Sequence, residues 1–188
     1  MKHEKSYLRN ISLLKRKKKY LKVKKFNFNL IFKLINKHFY NKKITIAGYY
    51  PSNYEVDILS FLKEASRKKF NIALPVIKPL NKMNFKPWIF NEPLYVNKFG
   101  ILEPKNSIKK IIPDLVMVPL VAFDNQLNRI GYGKGYYDRS LKKIKKNKKN
   151  SISLGIAYSF QKCSNVPVNK YDFKLDYILT ERGIISSN

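Results

Sequence analysis

The sequence has little cysteine, little glycine and no apolar run long enough to cross a membrane. Its single cysteine, Cys163, excludes an intramolecular disulfide framework and any zinc or iron–sulfur site built from several cysteines, which fits a reducing compartment. The longest apolar stretch covers residues 115–123, whereas a membrane-spanning helix needs about 20 residues. The first residues also lack the apolar core of an export signal. We therefore expect a cytoplasmic protein that does not associate with membranes.

Acidic residues are also scarce, and the excess of basic residues is large. The chain has 12 Asp and Glu against 39 Lys and Arg, a formal net charge of +27. A charge of this size suggests an RNA- or ribosome-associated protein as one class of function. Only six of the basic residues are arginine, however, and the densest basic run, residues 142–149, has no aromatic residue to stack on bases. We interpret that run as a solvated helix end and loop, expect no specific nucleic-acid partner, and keep the RNA-associated function as the alternative.

The composition nevertheless predicts a folded protein. Hydrophobic residues make up 44% of the 188 positions and aromatic residues 14%, which is enough apolar surface for one full core. We predict a single domain over residues 1–188, in which residues 1–40 form an amino-terminal helical segment that packs on the rest. We expect the protein to be a monomer.

Hydrophobic spacing predicts alternating strands and helices. Apolar positions at helical intervals between residues 4 and 40 predict one or two amphipathic helices. Ser52 and Glu55 have the spacing of a capping box and predict a helix that starts there. Short apolar or β-branched runs predict strands at residues 43–50, 71–76, 88–90, 114–123, 151–158 and 174–180. Pro119 is expected at a strand end or a bulge. The alternation indicates a three-layer α/β/α domain with a mainly parallel sheet.

A glycine-rich segment carries the candidate chemistry. Residues 131–135 contain three of the seven glycines. Such a turn before a helix lets backbone N–H groups approach an anion closely, and the start of the helix adds positive potential. Arg129 and Lys134 would add full positive charges, and Asp138 has the carboxylate chemistry that Mg²⁺ prefers. The spacing matches neither a P-loop nor a dinucleotide-binding fingerprint. A plain strand-to-helix turn does not require these charged neighbours, so we favour an anion site, and the components of an ATP site with Mg²⁺ are present.

The segment at residues 129–139, RIGYGKGYYDR, closely resembles the signature of the 5-formyltetrahydrofolate cyclo-ligase family, also called 5,10-methenyltetrahydrofolate synthetases. The resemblance covers nearly the whole chain, with further matching segments at residues 5–9, 50–57, 100–104, 118–124 and 172–176. It implies a Rossmann-like sheet of the NagB/RpiA/CoA transferase-like type. It also implies ATP- and Mg²⁺-dependent closure of 5-formyltetrahydrofolate, with or without a polyglutamate tail, to 5,10-methenyltetrahydrofolate. ADP and phosphate would be released after phosphorylation of the formyl oxygen.

The same resemblance implies roles for individual residues. It assigns catalysis to Arg129, Lys134 and Tyr136, and metal binding to Asp138 and Asp172. The residues implied for ATP are Lys5, Arg9, Arg129, Ile130, Gly131, Tyr132, Gly133, Lys134, Gly135, Tyr136 and Tyr137. Those implied for the folate are Tyr50, Glu55, Tyr132, Gly133, Lys134, Gly135 and Tyr136.

Some of these residues also have interpretations that need no ligand. Lys5 and Arg9 lie one helical turn apart, which is also the pattern of an exposed helix surface. Glu55 could serve only the capping box, and the two aspartates could pair with nearby lysines. The chain departs from the family's usual pattern at Leu127, where a glycine is usual, and at Ile130, where leucine is commoner. The first departure bears on the shape of the turn that precedes the signature.

Overall fold

The computed structural model describes residues 2–23, 25–79, 82–105 and 110–186. Within these ranges the α-helices are α1 (Lys2–Lys19), α2 (Asn29–Phe39), α3 (Leu59–Arg67) and α4 (Tyr136–Asn147), and short 3-10 helices cover Tyr20–Lys22 and Ser159–Gln161. The strands are β1 (Thr45–Ala47), β2 (Asn71–Lys78), β3 (Lys82–Pro87), β4 (Leu94–Val96), β5 (Leu102–Pro104), β6 (Leu115–Pro119), β7 (Ala122–Phe123), β8 (Arg129–Ile130), β9 (Ile152–Ile156), β10 (Tyr177–Thr180) and β11 (Gly183–Ser186).

A seven-stranded sheet forms the centre of the molecule, in the order β11-β10-β9-β6-β1-β2-β3. The inner strands, from β10 to β2, are parallel to one another, and the edge strands β11 and β3 are antiparallel to their neighbours. The pairs β4–β5 and β7–β8 form two small antiparallel sheets. Ligands of open α/β sheets bind at the carboxyl ends of the parallel strands, so this edge is where a site is expected.

Both faces of the central sheet are apolar, and each packs on different helices. On β6, Leu115 and Met117 face one side while Val116 and Val118 face the other, as the two-residue period of a strand requires. The first face packs on α2 and α3, and the second packs on α4. This arrangement confirms the predicted α/β fold with a mainly parallel sheet between two layers of helices.

One or two helices were expected in the amino-terminal segment, and it forms two, α1 and α2; Met1 and Lys24 lie outside the described residues. Partly buried Leu8 and Leu13 of α1 pack on the β7–β8 pair. Helix α1 therefore borders the chain that follows β8. In the described part of the chain, no helix is both long and apolar enough to cross a bilayer.

The lysine-rich run at residues 142–149 forms the last turns of α4 and the loop after it, as interpreted from the sequence. Two of its lysines contact acidic residues. Lys148 Nζ lies 2.6 Å from Asp114 Oδ1, and Lys145 Nζ lies 3.4 Å from Asp176 Oδ1. These ion pairs tie the end of α4 to the loops beside β6 and β10.

Two predicted strands differ from the observed ones. The strand predicted over residues 114–123 divides at Pro119, where β6 ends and the chain leaves the central sheet before β7. Proline has no N–H with which to continue the ladder, so its expected place at the strand end is confirmed and the predicted length is wrong. Residues 88–90 form no strand. Buried Trp88 instead donates its indole N–H to the Glu92 carbonyl oxygen (3.1 Å), directly after β3.

The helix predicted from Ser52 begins later, at Leu59. The Glu55 carboxylate does accept a hydrogen bond from the Ser52 N–H (2.9 Å), as in a capping box. The chain then leaves the turn, because the Glu55 carbonyl oxygen accepts from the Tyr158 hydroxyl (3.4 Å) instead of from a following helical turn. Asp57 accepts a hydrogen bond from the Leu59 N–H (2.8 Å). The predicted capping box is therefore a tight turn that fixes the Glu55 side chain.

Candidate active site

A cavity of about 1040 Å³ opens at the carboxyl-terminal edge of the parallel strands, where Tyr49, just after β1, and Pro119, the last residue of β6, line it. Every site residue predicted from the sequence lines this cavity: Lys5, Arg9, Tyr50, Glu55, Arg129, Ile130, Gly131, Tyr132, Gly133, Lys134, Gly135, Tyr136, Tyr137, Asp138 and Asp172. The fold thus brings together four distant parts of the sequence, while the roles of the individual residues stay predictions.

Residues 131–135, here named the glycine loop, connect β8 to α4. Gly133 and Gly135 have φ angles of 90° and 63°, which glycine adopts without steric cost. Among the described residues, no hydrogen-bond acceptor is found for the backbone N–H groups of residues 132–135. A Cβ atom at Gly131 would meet nothing within 4 Å, so the loop is open on that side. Together with the start of α4, these N–H groups are donors of the kind that bind an anion at a helix N-terminus.

Basic side chains from separate elements surround the glycine loop. Arg9 of α1 donates from Nε to the Gly131 carbonyl oxygen (2.7 Å). Arg129 donates from Nη1 to Asp138 Oδ1 (2.8 Å), and its side chain is 4% exposed. Lys134 is exposed. Its carbonyl oxygen accepts from Arg139 Nη2 (2.7 Å), while its side chain has no ion-pair or hydrogen-bond partner in the described part of the chain. We name Lys5, Arg9, Arg129, Lys134 and the glycine loop the cationic side of the cavity.

The two aspartates predicted to bind metal each use one oxygen in the protein. Asp138 Oδ1 accepts from Arg129, while Asp172 Oδ2 pairs with Lys5 Nζ and accepts from the Asn169 N–H (2.6 Å). Their other oxygens have no partner among the described residues. Those residues also contain no group of three or more His, Cys, Asp or Glu that could hold a metal by itself. Mg²⁺ is commonly held by one or two carboxylates together with water and substrate phosphates, so this pair fits an ion shared with a nucleotide.

A second part of the lining is built around Glu55. Its Oε1 accepts from the Tyr132 hydroxyl (3.0 Å), and its Oε2 accepts from the backbone N–H (2.9 Å) and the hydroxyl (3.3 Å) of Ser52. The Tyr132 oxygen accepts in turn from Arg16 Nη2. Burial raises the pKa of the Glu55 carboxyl, and the Ser52 N–H, the Arg16 charge and the Tyr132 hydroxyl oppose that rise. We name Ser52, Glu55 and Tyr132 the carboxylate side.

Tyrosines on and near the carboxylate side are neutral at physiological pH. Burial, followed by the charge of Glu55, raises the pKa of Tyr132 to about 12 and raises the pKa values of Tyr49 and Tyr137 strongly as well. Their hydroxyls therefore donate and accept hydrogen bonds but do not act as bases. Among these side chains, the Glu55 carboxyl is therefore the group that can carry a negative charge.

Leu127 lies in the turn between β7 and β8, two residues before Arg129. Its φ of 65° lies in the left-handed region. This conformation is unfavourable for a residue with a Cβ atom, which explains why glycine suits this position. The side chain is fully buried beside Phe123. The backbone is held on both sides, since the Leu127 N–H donates to the Asp124 carbonyl oxygen (3.2 Å) and its carbonyl oxygen accepts from Leu175 (3.1 Å). The turn thus keeps the shape that a glycine favours.

Sequence reasoning missed some residues of this region. It gave no role to Arg16, which lies behind Tyr132, or to Phe99, Ile101 and Glu103 of the β4–β5 hairpin, which line the cavity. Arg16 had a signal, because it is one of only six arginines and follows Arg9 by seven residues, close to two helical turns. The hairpin had no signal beyond the family-like segment at residues 100–104.

Known proteins with similar sequence and structure belong to one family. The family model of the 5-formyltetrahydrofolate cyclo-ligase family matches residues 1–181. The 5-formyltetrahydrofolate cyclo-ligase of Haemophilus influenzae is 34% identical over 140 residues, 71% of this chain and 74% of that protein. The one of Escherichia coli K12 is 29% identical over 145 residues, 72% of this chain and 77% of that protein.

Solved structures give the same result. The NMR structure of 5,10-methenyltetrahydrofolate synthetase from Aquifex aeolicus is 30% identical and matches with a TM-score of 0.74, over 97% of this chain and 92% of that one. The 5,10-methenyltetrahydrofolate synthetase of Mycoplasma pneumoniae is 26% identical and has a TM-score of 0.65, over 94% of this chain and 98% of that one. Sequence and fold therefore agree with the signature at residues 129–139, and the chain belongs to the 5-formyltetrahydrofolate cyclo-ligase family of ligases.

Proposed function

We propose that the protein closes 5-formyltetrahydrofolate to 5,10-methenyltetrahydrofolate in a reaction that consumes ATP, requires Mg²⁺ and releases ADP and phosphate. Membership of the family supports the cyclo-ligase activity. One observation supports the use of ATP and the binding of folate: the same cavity is lined by free backbone N–H groups, by cations and by a half-buried carboxylate. The phosphates of a nucleotide need the first kind of partner, and the N–H groups of a pterin need the second.

The cationic side is the proposed ATP site. The glycine loop offers N–H donors to the phosphates, and Lys5, Arg9, Arg129 and Lys134 add charge around it. Arg129 is held by Asp138, so it needs little reorganisation when charge develops on the transferred phosphoryl group. Exposed Lys134 is free to contact that group. When bound, Mg²⁺ neutralises charge on the phosphate oxygens, and Asp138 and Asp172 are its proposed protein ligands.

The carboxylate side is the proposed folate site. Glu55 uses Oε1 and Oε2 for protein hydrogen bonds, and a carboxylate has enough lone pairs to accept further bonds from a ligand. The amino and ring N–H groups of a pterin are donors of the required kind. Half-buried Tyr50 lines the cavity beside Glu55 and is the second proposed folate contact. Tyr132 belongs to both sides, so the two ligands would meet at the glycine loop.

The proposed chemistry follows from the poor leaving ability of a formyl oxygen. Transfer of the γ-phosphoryl group to that oxygen makes it a good leaving group. The neighbouring amine nitrogen of the substrate then attacks the formyl carbon and loses its proton, and the oxygen departs as inorganic phosphate. Arg129 and Lys134 neutralise the transferred charge, and Tyr136, in the first turn of α4, lines the cavity at the same loop.

The test is a coupled assay on the purified protein. We expect methenyltetrahydrofolate absorbance to appear only when 5-formyltetrahydrofolate, ATP and Mg²⁺ are all present, with one ADP released per product. A metal chelator should stop the reaction, and added Mg²⁺ should restore it. Folded protein that gives no absorbance change, or the same change without ATP, would overturn the proposal.

A further inference from the structure

Arg16 is a buried cation without a carboxylate of its own. Its side chain is 1% exposed, and no ion pair to it is found among the described residues. Nη1 donates to the Leu120 carbonyl oxygen (3.2 Å) and Nη2 to the Tyr132 hydroxyl, while Nε is buried without a partner in the described part of the chain. A buried charge that is not neutralised by direct contact costs free energy. Its position therefore requires a reason beyond packing.

The hydrogen bonds that lead from Arg16 have a fixed direction. A guanidinium group only donates, so the Tyr132 oxygen must accept from it. The single hydrogen of that hydroxyl is then directed to Glu55 Oε1, 3.0 Å away. Arg16, Tyr132 and Glu55 thus form a chain that begins at a permanent donor and ends at a carboxylate, which acts as acceptor.

We propose that Arg16 is a positioning residue for the substrate-binding carboxylate: through the Tyr132 hydroxyl it holds Glu55 in one orientation and in its acceptor form. Arg16 itself does not line the cavity, so it acts without touching the ligand. The inference rests on the proposed function in one respect, namely that Glu55 binds the folate. Its consequence is specificity, since a carboxylate locked as an acceptor favours a ligand that presents N–H donors and disfavours one that presents acceptors.

Arg16 also supplies the positive charge that Glu55 needs. The groups that face Glu55 come from several elements: Ser52 from its own turn, Tyr49 after β1, Tyr132 from the glycine loop, Tyr137 from α4, Tyr158 after β9 and Arg16 from α1. Apart from Arg16 these groups are neutral. The Ser52 N–H opposes the cost of burying the ionised carboxylate most strongly, and the guanidinium charge of Arg16 is the next contribution.

The experiment compares the variants Arg16→Met, Tyr132→Phe and Arg16→Lys with the wild type over a range of pH. For Arg16→Met we expect KM for the folate to rise about tenfold or more at neutral pH, because a hydrogen bond within the chain to a charged group is lost. KM for ATP should not change. The acid limb of kcat/KM should move to higher pH, since Glu55 must be ionised and one of the contributions that oppose its burial is lost. Arg16→Lys should restore part of the loss, since lysine keeps the charge and a donor.

Further variants separate positioning from mere packing. Lys17→Met, at an exposed neighbouring position of α1, is the matched control and should behave as wild type. The double variant of Arg16 and Tyr132 should lose no more than the worse single variant, because both break one chain. If the Arg16 variants do not fold, Tyr132→Phe carries the test, since it removes one hydroxyl and keeps the ring.

A readout that does not depend on turnover keeps this inference distinct from the proposed function. The Glu55 carboxyl carbon can be followed by NMR titration and identified by its loss in Glu55→Gln. We expect its titration to move to higher pH in Tyr132→Phe. Suppose that the wild-type protein is inactive but that its Glu55 carboxyl titrates at lower pH than in Tyr132→Phe. That result would contradict the proposed function and support the positioning role. Identical Glu55 titration in the two proteins, or an equal rise of KM for ATP and folate, would overturn the positioning role.

Discussion

The cationic side and the carboxylate side of the cavity hold their charges in opposite ways. On the cationic side several positive groups and free N–H donors share the task, and Arg129 has a carboxylate partner. On the carboxylate side one half-buried carboxyl has a raised pKa and depends on neighbouring donors. The first arrangement suits charge that develops during phosphoryl transfer, whereas the second suits recognition of a bound ligand. We therefore expect changes on the cationic side to lower kcat and changes on the carboxylate side to raise KM.

The largest expected effect is that of Arg129→Met. Loss of a preorganised cation at the phosphoryl group should lower kcat by about 10³-fold. The change also removes the charged partner of Asp138 and leaves its Oδ1 only the Phe173 N–H, so the free energy of unfolding should fall by about 2–3 kcal/mol. Turnover assays and urea unfolding measure the two effects. Arg67→Met, at an exposed position of α3, is the control; a kcat that stays near the wild-type value in Arg129→Met would contradict the assignment.

Glu55→Gln should lower kcat/KM for the folate by about 100-fold, mainly through KM, because an amide replaces an acceptor that carries a charge. Stability should respond in the opposite sense to that of Arg129→Met. A carboxyl whose pKa is raised in the folded protein stabilises the fold below that pKa and loses this contribution as the pH rises through it. The neutral glutamine avoids that loss, so the melting temperature at neutral pH should stay equal or rise.

The control for Glu55→Gln is Glu64→Gln, on the exposed surface of α3, where the carboxylate pairs only with Lys68 among the described residues. It should leave KM and melting temperature unchanged. If Glu55→Gln lowered stability as much as Arg129→Met, the two sides would not hold their charges in opposite ways.

Gly131→Ala tests whether the glycine loop approaches a ligand. The added methyl group meets no protein atom within 4 Å, so the fold should keep its stability. A phosphate bound against the loop would meet that methyl group, and KM for ATP should then rise about tenfold, a loss of about one good hydrogen bond. Gly48→Ala is the informative contrast, because its methyl group would lie 2.8 Å from Leu62 and should lower stability without selective loss of ATP binding. An unchanged KM for ATP in Gly131→Ala would place the phosphates elsewhere.

The smallest expected effect on activity is that of Leu127→Gly, in the turn that presents Arg129. Glycine relieves about 1–2 kcal/mol of left-handed strain but gives up a fully buried side chain worth more, so we expect a net loss of about 2 kcal/mol in the free energy of unfolding. The kcat should stay unchanged, because the turn keeps its shape. Denaturant unfolding measures the loss. A gain in stability would mean that strain outweighs burial at this position.

The inner part of the fold was predictable because buried parallel strands and amphipathic helices have strong apolar periods. The edges were not: β3, β11 and the β4–β5 hairpin are antiparallel pieces whose pairing depends on neighbours that sequence periodicity does not show. Ser52 and Glu55 mark the same limit. Their local hydrogen bond is that of a capping box, but the helix begins only at Leu59, and the Glu55 carbonyl oxygen instead accepts from distant Tyr158.

The site was predictable where its residues lie close together in the sequence, and not where they meet only in the fold. Glycines and charges concentrated at residues 129–139 are visible in the sequence, as is their family resemblance. Arg16 stands out in the sequence only as an arginine seven residues after Arg9, and its burial against a glycine-loop tyrosine 116 residues away is not visible there. The large positive charge, which suggested RNA as an alternative partner, is not needed to account for membership of the cyclo-ligase family.

Helix α1 carries Lys5, Arg9 and Arg16 along about 16 Å of its length, close to a single face. Three basic groups with different proposed roles at the cavity thus belong to one element that lies outside the central sheet. A protease cut or an amino-terminal fusion that frays this helix would remove all three at once. The outcome would be an inactive protein with an intact sheet, a pattern that no single substitution in the glycine loop reproduces.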